Sequence, residues 1–182
     1  KSAQIARMQI AAGAVGVCVQ KVSEAEALAA QGIADLYISN EVVTEAAVAR
    51  VAALAGRVRL AIAADSALGI DRLARAVQAA GSTIDVFVEV DVGQGRCGVA
   101  PASAGGLARR VVSHAGLRFA GLQAYHGGAQ HIRASAGREA AIHRAVAAAT
   151  AARAAVTSAG IACPLVTGAG SGSFSFEAAS GV

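Results

Sequence analysis

Hydrophobic and polar positions alternate in blocks along this chain. Short apolar runs are separated by longer stretches in which apolar residues recur every three or four positions. The short runs predict strands at Ala14–Gln20 (AVGVCVQ), Asp35–Ser39 (DLYIS), Val58–Ala63 (VRLAIA), Ile84–Val92 (IDVFVEVDV), Leu117–Tyr125 (LRFAGLQAY) and Leu165–Thr167. The longer stretches predict helices at Ser2–Ala12, Ser23–Gln31, Thr44–Ala55, Ser66–Ala80, Ala102–His114 and Ala134–Ala159, with a further helical start near Phe174. Ser23 with Glu26 reads as a capping box, and Gly32, Gly56, Gly81 and Gly160 follow the ends of predicted helices. Nearly continuous apolar strands that alternate with helices imply a parallel sheet covered by helices. Six strands suit either a doubly wound sheet or a (β/α)8 TIM-type barrel, incomplete at about six βα units because a full barrel needs about 250 residues.

Polar residues cluster at one end of these strands. Gln20, Asn40, Asp65, Glu89 with Asp91, Gln123 with Tyr125 and His126, and Thr167 with Gly168 all fall at or just past a C-terminal strand end. No comparable groups are expected at the N-terminal ends. In a βα barrel the C-terminal ends converge on one mouth, where active sites lie. The bland alternative is that polar residues simply begin loops.

Composition narrows the choices. The 182 residues are 55% hydrophobic and 15% charged, too apolar for a disordered segment. Alanine makes up about a quarter of the chain, so the core must come from Val, Ile, Leu and Phe. Charged or polar residues interrupt every apolar run, which argues against a membrane span. A net charge of +4 with only 3% aromatic residues offers no stacking platform, so nucleic acid is not an expected partner. Cys18, Cys97 and Cys163 are odd in number and lack CxxC spacing, which fits reduced thiols in a cytoplasmic protein.

Three loops carry candidate chemistry. Thr167-Gly168-Ala169-Gly170-Ser171-Gly172-Ser173 precedes a helix, and such a loop brings backbone N–H groups and hydroxyls to an anion; it also reads as a plain flexible loop. In Asp91–Gly98, glycines bracket Arg96, which either enters the mouth to hold an oxyanion or phenolate, or turns outward to pair with Asp91. Tyr125, His126 and His131 form the densest set of acid–base groups. Cys97 reads as a packed thiol, Lys21 as a solvated residue, and His114 and His143 as surface residues; no metal ligand set is expected within the chain.

Five strings go further: GAVGVCVQKVSEAEAL (Gly13–Leu28), ISNEVV (Ile38–Val43), VEVDVGQGRCGV (Val88–Val99), GLQAYHGGAQH (Gly121–His131) and VTGAGSGSFSFEAASGV (Val166–Val182). In order and across the whole length, the chain resembles the D-threonine aldolase and 3-hydroxy-D-aspartate aldolase family, which is related to D-serine dehydratases of the alanine-racemase-like fold. The resemblance implies that residues 1–182 are part of an N-terminal barrel domain, with a C-terminal β domain outside the chain. It implies pyridoxal 5'-phosphate as cofactor and cleavage of β-hydroxy-D-amino acids to glycine plus an aldehyde or glyoxylate. Dehydration chemistry on the same fold and a non-catalytic pyridoxal-phosphate carrier remain as alternatives.

By motif, the resemblance implies that Arg96 contacts the cofactor's phenolic oxygen and that Tyr125 lies against its ring or phosphate. Gln20 would line the same cavity, and Thr167, Gly168, Gly170, Ser171 and Gly172 would bind the phosphate. Ser171 stands where the family usually has Thr, and the hydroxyl is kept. His131 would take the β-hydroxyl proton, with His126 and Tyr125 beside it. Lys1 matches the last lysine of the family's P-H-A-K-x-H-K run, so the Schiff-base lysine is expected three positions upstream. A divalent metal (Mn or Mg) is expected with ligands outside the chain. A small-molecule D-amino acid substrate, a homodimer and inactivity of the chain by itself complete these expectations.

Overall fold

A computed structural model describes residues 2–182, so Lys1, matched above to the last lysine of the cofactor motif, lies outside the described residues. The predicted alternation is present: α1 (Ala3–Ala11), β1 (Val17–Val19), α2 (Val22–Ala29), β2 (Asp35–Ile38), α3 (Glu45–Ala55), β3 (Arg59–Ala64), α4 (Ala67–Ala80), β4 (Ile84–Glu89), α5 (Ala104–Val112), β5 (Leu117–Gln123), α6 (Ser135–Ser158), β6 (Val166–Thr167) and α7 (Phe174–Ala178). Short 3-10 turns occupy Pro101–Ser103 and Gly127–His131. The strands follow chain order in the sheet, β1-β2-β3-β4-β5-β6. The β1/β2, β2/β3 and β5/β6 pairs are parallel, with Leu36 opposite Leu60 and Gln123 opposite Thr167. A doubly wound sheet reverses its strand order at a switch point. Unbroken chain order is instead the winding of a (β/α)8-type barrel, of which this chain supplies six βα units.

The chain divides into two compact units. The first comprises the residues up to Val86 and Val111–Arg118. Its core is branched aliphatic: Val19, Leu36, Ile38, Leu60, Ile62 and Ile84 from strands, and Val48, Val51, Ile70 and Val77 from helices, are essentially inaccessible. Burying each such side chain stabilises the fold by about 1.5–3 kcal/mol. α4 starts where the Ser66 hydroxyl accepts the Gly69 N–H at 3.2 Å, and it stops at Gly81, whose φ of +62° suits the left-handed cap.

Three local readings need correction in this unit. α2 is not capped by Ser23. Its N-cap is Lys21, and the Glu24 carboxylate, at the third helical position, accepts the N–H groups of Gln20 (2.8 Å) and Lys21 (3.2 Å). The N-terminal strand ends also carry polar groups. Arg59 bonds Asp35 at 3.0 Å and approaches Asp85 at 3.7 Å, Arg118 bonds Asp85 at 2.7 Å, and Arg118 also donates to the Thr83 hydroxyl at 3.2 Å. These residues open four successive strands, so the alternating charges form a ladder that no single strand reveals. His114, read as a surface residue, is half-buried and lies 3.1 Å from Asp71.

The second unit comprises Phe87–Arg110 and Phe119–Val182. Its long helix α6 buries Ala141, Ile142, Ala145, Ala149, Ala152 and Val156, a stripe at helical spacing made mostly of alanine. Small residues let backbones come close: a Cβ on Gly105 of α5 would lie 2.4 Å from the Ala155 carbonyl oxygen. Among the described residues no helix is long and apolar enough to cross a membrane.

Candidate active site

The second unit gathers the C-terminal ends of β4, β5 and β6, and main-chain bonds tie them together. Val90 N–H donates to Gln123 O at 2.9 Å, and Ala124 N–H donates to Thr167 O at 2.7 Å. A Cβ on Gly168 would lie 2.8 Å from the Ala124 carbonyl oxygen, so a side chain there would push the loop after β6 away from β5.

Beyond β4 the chain turns back on itself. A bridge between Val90 and Val99 closes the base of this loop. Inside it the Asp91 carboxylate accepts the N–H groups of Gly93 (2.9 Å) and Gly95 (3.0 Å). The Gly95 bond and then the Gly93 bond hold the Asp91 carboxyl below its ordinary range. Asp91 is therefore occupied by main chain, and Arg96 pairs instead with Glu89, Nη2 to Oε1 at 3.2 Å. Glu89 is only 3% exposed, and it also accepts a short hydrogen bond from the amide of Gln123, itself 3% exposed. The Arg96 side chain is 42% exposed, so one side of it is held by Glu89 while the rest meets solvent. Cys97 is half-buried beside it.

Beyond β5 come Tyr125 and His126, then the 3-10 turn Gly127–His131. Gly127 N–H donates to the Gln94 side-chain oxygen at 2.7 Å, which joins this turn to the Arg96 loop. The His126 ring lies against the same loop: a Cβ on Gly93 would sit 3.5 Å from its Nε2. Its Nδ1 is buried with no hydrogen-bond partner among the described residues. His131 ends the turn and is exposed.

Beyond β6 lies the glycine loop. Ala169 takes φ of +67°, a left-handed conformation that costs a side-chain-bearing residue on the order of 1 kcal/mol. Gly172 N–H donates to Gln130 Oε1 at 2.8 Å, and Gln130 Nε2 donates to the Ser173 hydroxyl at 2.6 Å. That hydroxyl is fully buried, accepts Gly170 N–H at 3.2 Å and donates to Glu177 at 2.8 Å. Thr167 is half-buried and Ser171 is exposed.

The structure thus brings Arg96, Tyr125, His126, His131 and the Thr167–Gly172 loop together in one unit. Gln20 belongs to the first unit, where it follows β1, is exposed and donates to the Ser39 hydroxyl at 3.0 Å. The sequence reading offered Asp91, not Glu89, as the partner of Arg96 and gave Gln94 and Gln130 no role; Ser173, read with the loop's other hydroxyls as a donor to an anion, is instead buried and bonded to Gln130 and Glu177. The run IDVFVEVDV carries three acids, Asp85, Glu89 and Asp91, and sequence alone does not say which of them Arg96 meets. No spacing rule points to the glutamines.

A chain-order βα array with an arginine, an acid–base cluster and an amide-lined loop at its strand ends defines a class, and the comparisons agree. Residues 1–180 match the alanine racemase, N-terminal domain model, and the chain belongs to that family. It is 45% identical over 183 residues to a D-threonine aldolase of an Arthrobacter species, and 38% identical over 185 residues to the 3-hydroxy-D-aspartate aldolase of Paracoccus denitrificans. Each match covers all of this chain and 48% of the relative. Among solved structures, D-threonine aldolase from Filomicrobium marinum superposes with a TM-score of 0.96 at 46% identity, covering 99% of this chain and 49% of that one. D-threo-3-hydroxyaspartate dehydratase from Delftia sp. HT23 superposes with a TM-score of 0.82 at 26% identity, covering 92% of this chain and 45% of that one. The chain spans about half the length of the curated relatives it matches.

Proposed function

We propose that these residues form the cofactor-binding part of a pyridoxal-phosphate-dependent carbon–carbon lyase that cleaves β-hydroxy-D-amino acids, such as D-threonine or 3-hydroxy-D-aspartate, to glycine and an aldehyde or glyoxylate. One observation carries this reading: the ends of β4, β5 and β6 place a braced arginine, two histidines and a tyrosine, and a glycine loop in one unit, on a chain 45% identical to a D-threonine aldolase. The donor set fits the cofactor. The glycine loop supplies amides with Thr167 and Ser171 hydroxyls for a phosphate, and the solvent-facing side of Arg96 suits a phenolate oxygen.

When bound, pyridoxal 5'-phosphate supplies a conjugated sink for the negative charge left at Cα as the Cα–Cβ bond breaks. The chain's own groups do the rest. Thr167, Gly168 and Ser171 anchor the phosphate, and Gly170 and Gly172, whose N–H groups bond Ser173 and Gln130, shape the loop around it. Arg96, held from behind by Glu89, orients the ring at its oxygen, and Tyr125 lies against the ring or phosphate. His131, exposed at the end of the turn that follows Tyr125 and His126, takes the β-hydroxyl proton. A divalent Mn or Mg with ligands beyond these residues would lower that hydroxyl's pKa. We place the protein in the cytoplasm, with a small-molecule substrate and a homodimer as its assembly.

The test is product analysis on the full-length protein with pyridoxal 5'-phosphate and Mn, offered D-threonine, 3-hydroxy-D-aspartate and D-serine in turn. Glycine release that EDTA abolishes supports the lyase. Pyruvate from D-serine with no glycine from the other two would replace it with a dehydratase. Cofactor binding without any turnover would leave a carrier.

A further inference from the structure

The bonding around Gln130 is unusually complete. Its carbonyl oxygen accepts Gly172 N–H at 2.8 Å and its amide nitrogen donates to Ser173 Oγ at 2.6 Å. The orientation is not arbitrary. Gly172 N–H can only donate, and the Ser173 hydroxyl spends its one proton on Glu177, so the oxygen and nitrogen of Gln130 have one assignment. With Gly170 N–H as a second donor, the Ser173 hydroxyl fills both acceptor sites and its donor site while fully buried. Gly170 shows how closely the pieces fit: a Cβ there would lie 2.5 Å from Gln130 Cδ. Its φ is not in the left-handed region, and the three atoms nearest that Cβ all belong to Gln130.

We propose that Gln130 is a positioning residue, a clip that holds the Gly168–Gly172 loop in its anion-receiving shape and fastens that loop to the turn carrying His131. The inference rests on the reading of this loop as the phosphate cradle. Gln130 reaches into the loop from the Gly127–His131 turn, and its neighbour His131 leaves the same turn to be exposed. One short 3-10 turn therefore sets both the anion site and the base. Two amides of the loop, at Gly170 and Gly172, are consumed by the clip, which leaves phosphate recognition to the remaining amides and to the Thr167 and Ser171 hydroxyls.

The experiment compares pyridoxal 5'-phosphate with pyridoxal, which lacks the phosphate, by absorbance titration of the full-length protein. Gln130→Ala weakens the phosphorylated ligand about fivefold to tenfold, the loss expected for one or two hydrogen bonds, and leaves pyridoxal within about twofold. Gly170→Ala does the same, because its methyl group displaces Gln130. The double variant is no weaker than the worse single one, since both remove one clip. Gln130→Glu is weaker still, because it sets a second carboxylate beside Glu177 and the anion. Without ligand, Gln130→Ala speeds hydrogen exchange at the Gly172 amide and leaves β5 amides unchanged. Unchanged phosphate affinity in both Gln130→Ala and Gly170→Ala, or a double variant whose loss is the product of the two, overturns the clip while the phosphate cradle stands. A wild-type protein that binds the two ligands equally well overturns the cradle itself, and the clip with it.

Discussion

Replacing Glu89 separates the charge of the brace behind Arg96 from its hydrogen bonding. The carboxylate is 3% exposed and meets the guanidinium at 3.2 Å and the Gln123 amide on its other oxygen. Glu89→Gln keeps the shape and loses the charge. A hydrogen bond to a charged partner contributes about 1.5–3 kcal/mol, but Arg96 is 42% exposed and water replaces part of what is lost. The expected cost is about 1–2 kcal/mol. Glu89→Ala removes the acceptor as well. It takes away the bond from the Gln123 amide, itself 3% exposed, and opens a small cavity, for about 3–5 kcal/mol in total. Urea unfolding of the full-length protein measures both, and a lowered melting temperature gives an independent reading. Both variants also weaken pyridoxal 5'-phosphate binding, because Arg96 no longer has a fixed orientation. Glu89→Gln that unfolds with Glu89→Ala, or two variants indistinguishable from wild type in stability, would refute the reasoning. The first outcome would mean that charge is everything, the second that the brace bears no strain.

Two further predictions concern stability. The Asp91 carboxyl is held below its ordinary range by the Gly95 and Gly93 N–H groups, so the folded protein holds fewer protons at this site than the unfolded chain as pH falls through about 4. Its contribution is complete above the unfolded pKa and is lost as pH drops through the lower folded value; Asp91→Asn should therefore flatten the acid limb of the stability–pH curve, and an unaltered limb would contradict this. At the opposite end of the strands, Asp85 is 14% exposed and bridges Arg59 and Arg118, whereas Asp35 is 36% exposed with one arginine. Asp85→Asn should cost about 1–2 kcal/mol and Asp35→Asn under about 0.5, and equal urea midpoints for the two would dismiss the ladder as a source of stability.

The fold was legible because the pattern that makes parallel strands is local. Runs such as VRLAIA and IDVFVEVDV, each followed by an apolar stripe at helical spacing, have one economical arrangement, and β3 and β4 lie within a few residues of where those runs place them. Predicted strands ran long at their C-terminal ends: Ile84–Val92 became Ile84–Glu89, because Val90 leaves the strand to bridge Val99. The α2 cap was misplaced because Ser23 and Glu26 satisfy the motif in sequence, while Lys21 and Glu24 satisfy it two residues earlier in space. The charge ladder was invisible for a different reason. Asp35, Arg59, Asp85 and Arg118 are each unremarkable on their own strand, and only the parallel register aligns them. The candidate site shows the same division. Its reactive side chains stand out by type and position, whereas Gln94, Gln130 and Gln123 have neutral side chains whose partners are 33 to 43 residues away in the chain.

That division has a physical basis in what each group must do. A residue offered to a ligand must keep an unsatisfied donor, acceptor or proton site facing solvent, so it contributes little to the fold. His131 is exposed and the outer face of Arg96 meets water. The residues that aim them must instead be saturated, because an unpaired polar group at their depth would cost about 1–3 kcal/mol. Glu89, Gln123 and Ser173, at 3%, 3% and 0% exposure, are the buried polar side chains of the chain's described core, and all three sit behind the strand ends of one unit. Burying polar groups there and nowhere else in that core makes sense only if the surfaces in front of them have to hold a shape. The ladder of charges at the other strand ends makes the contrast: its arginines are more than half exposed, so it tolerates motion that a cofactor cradle does not.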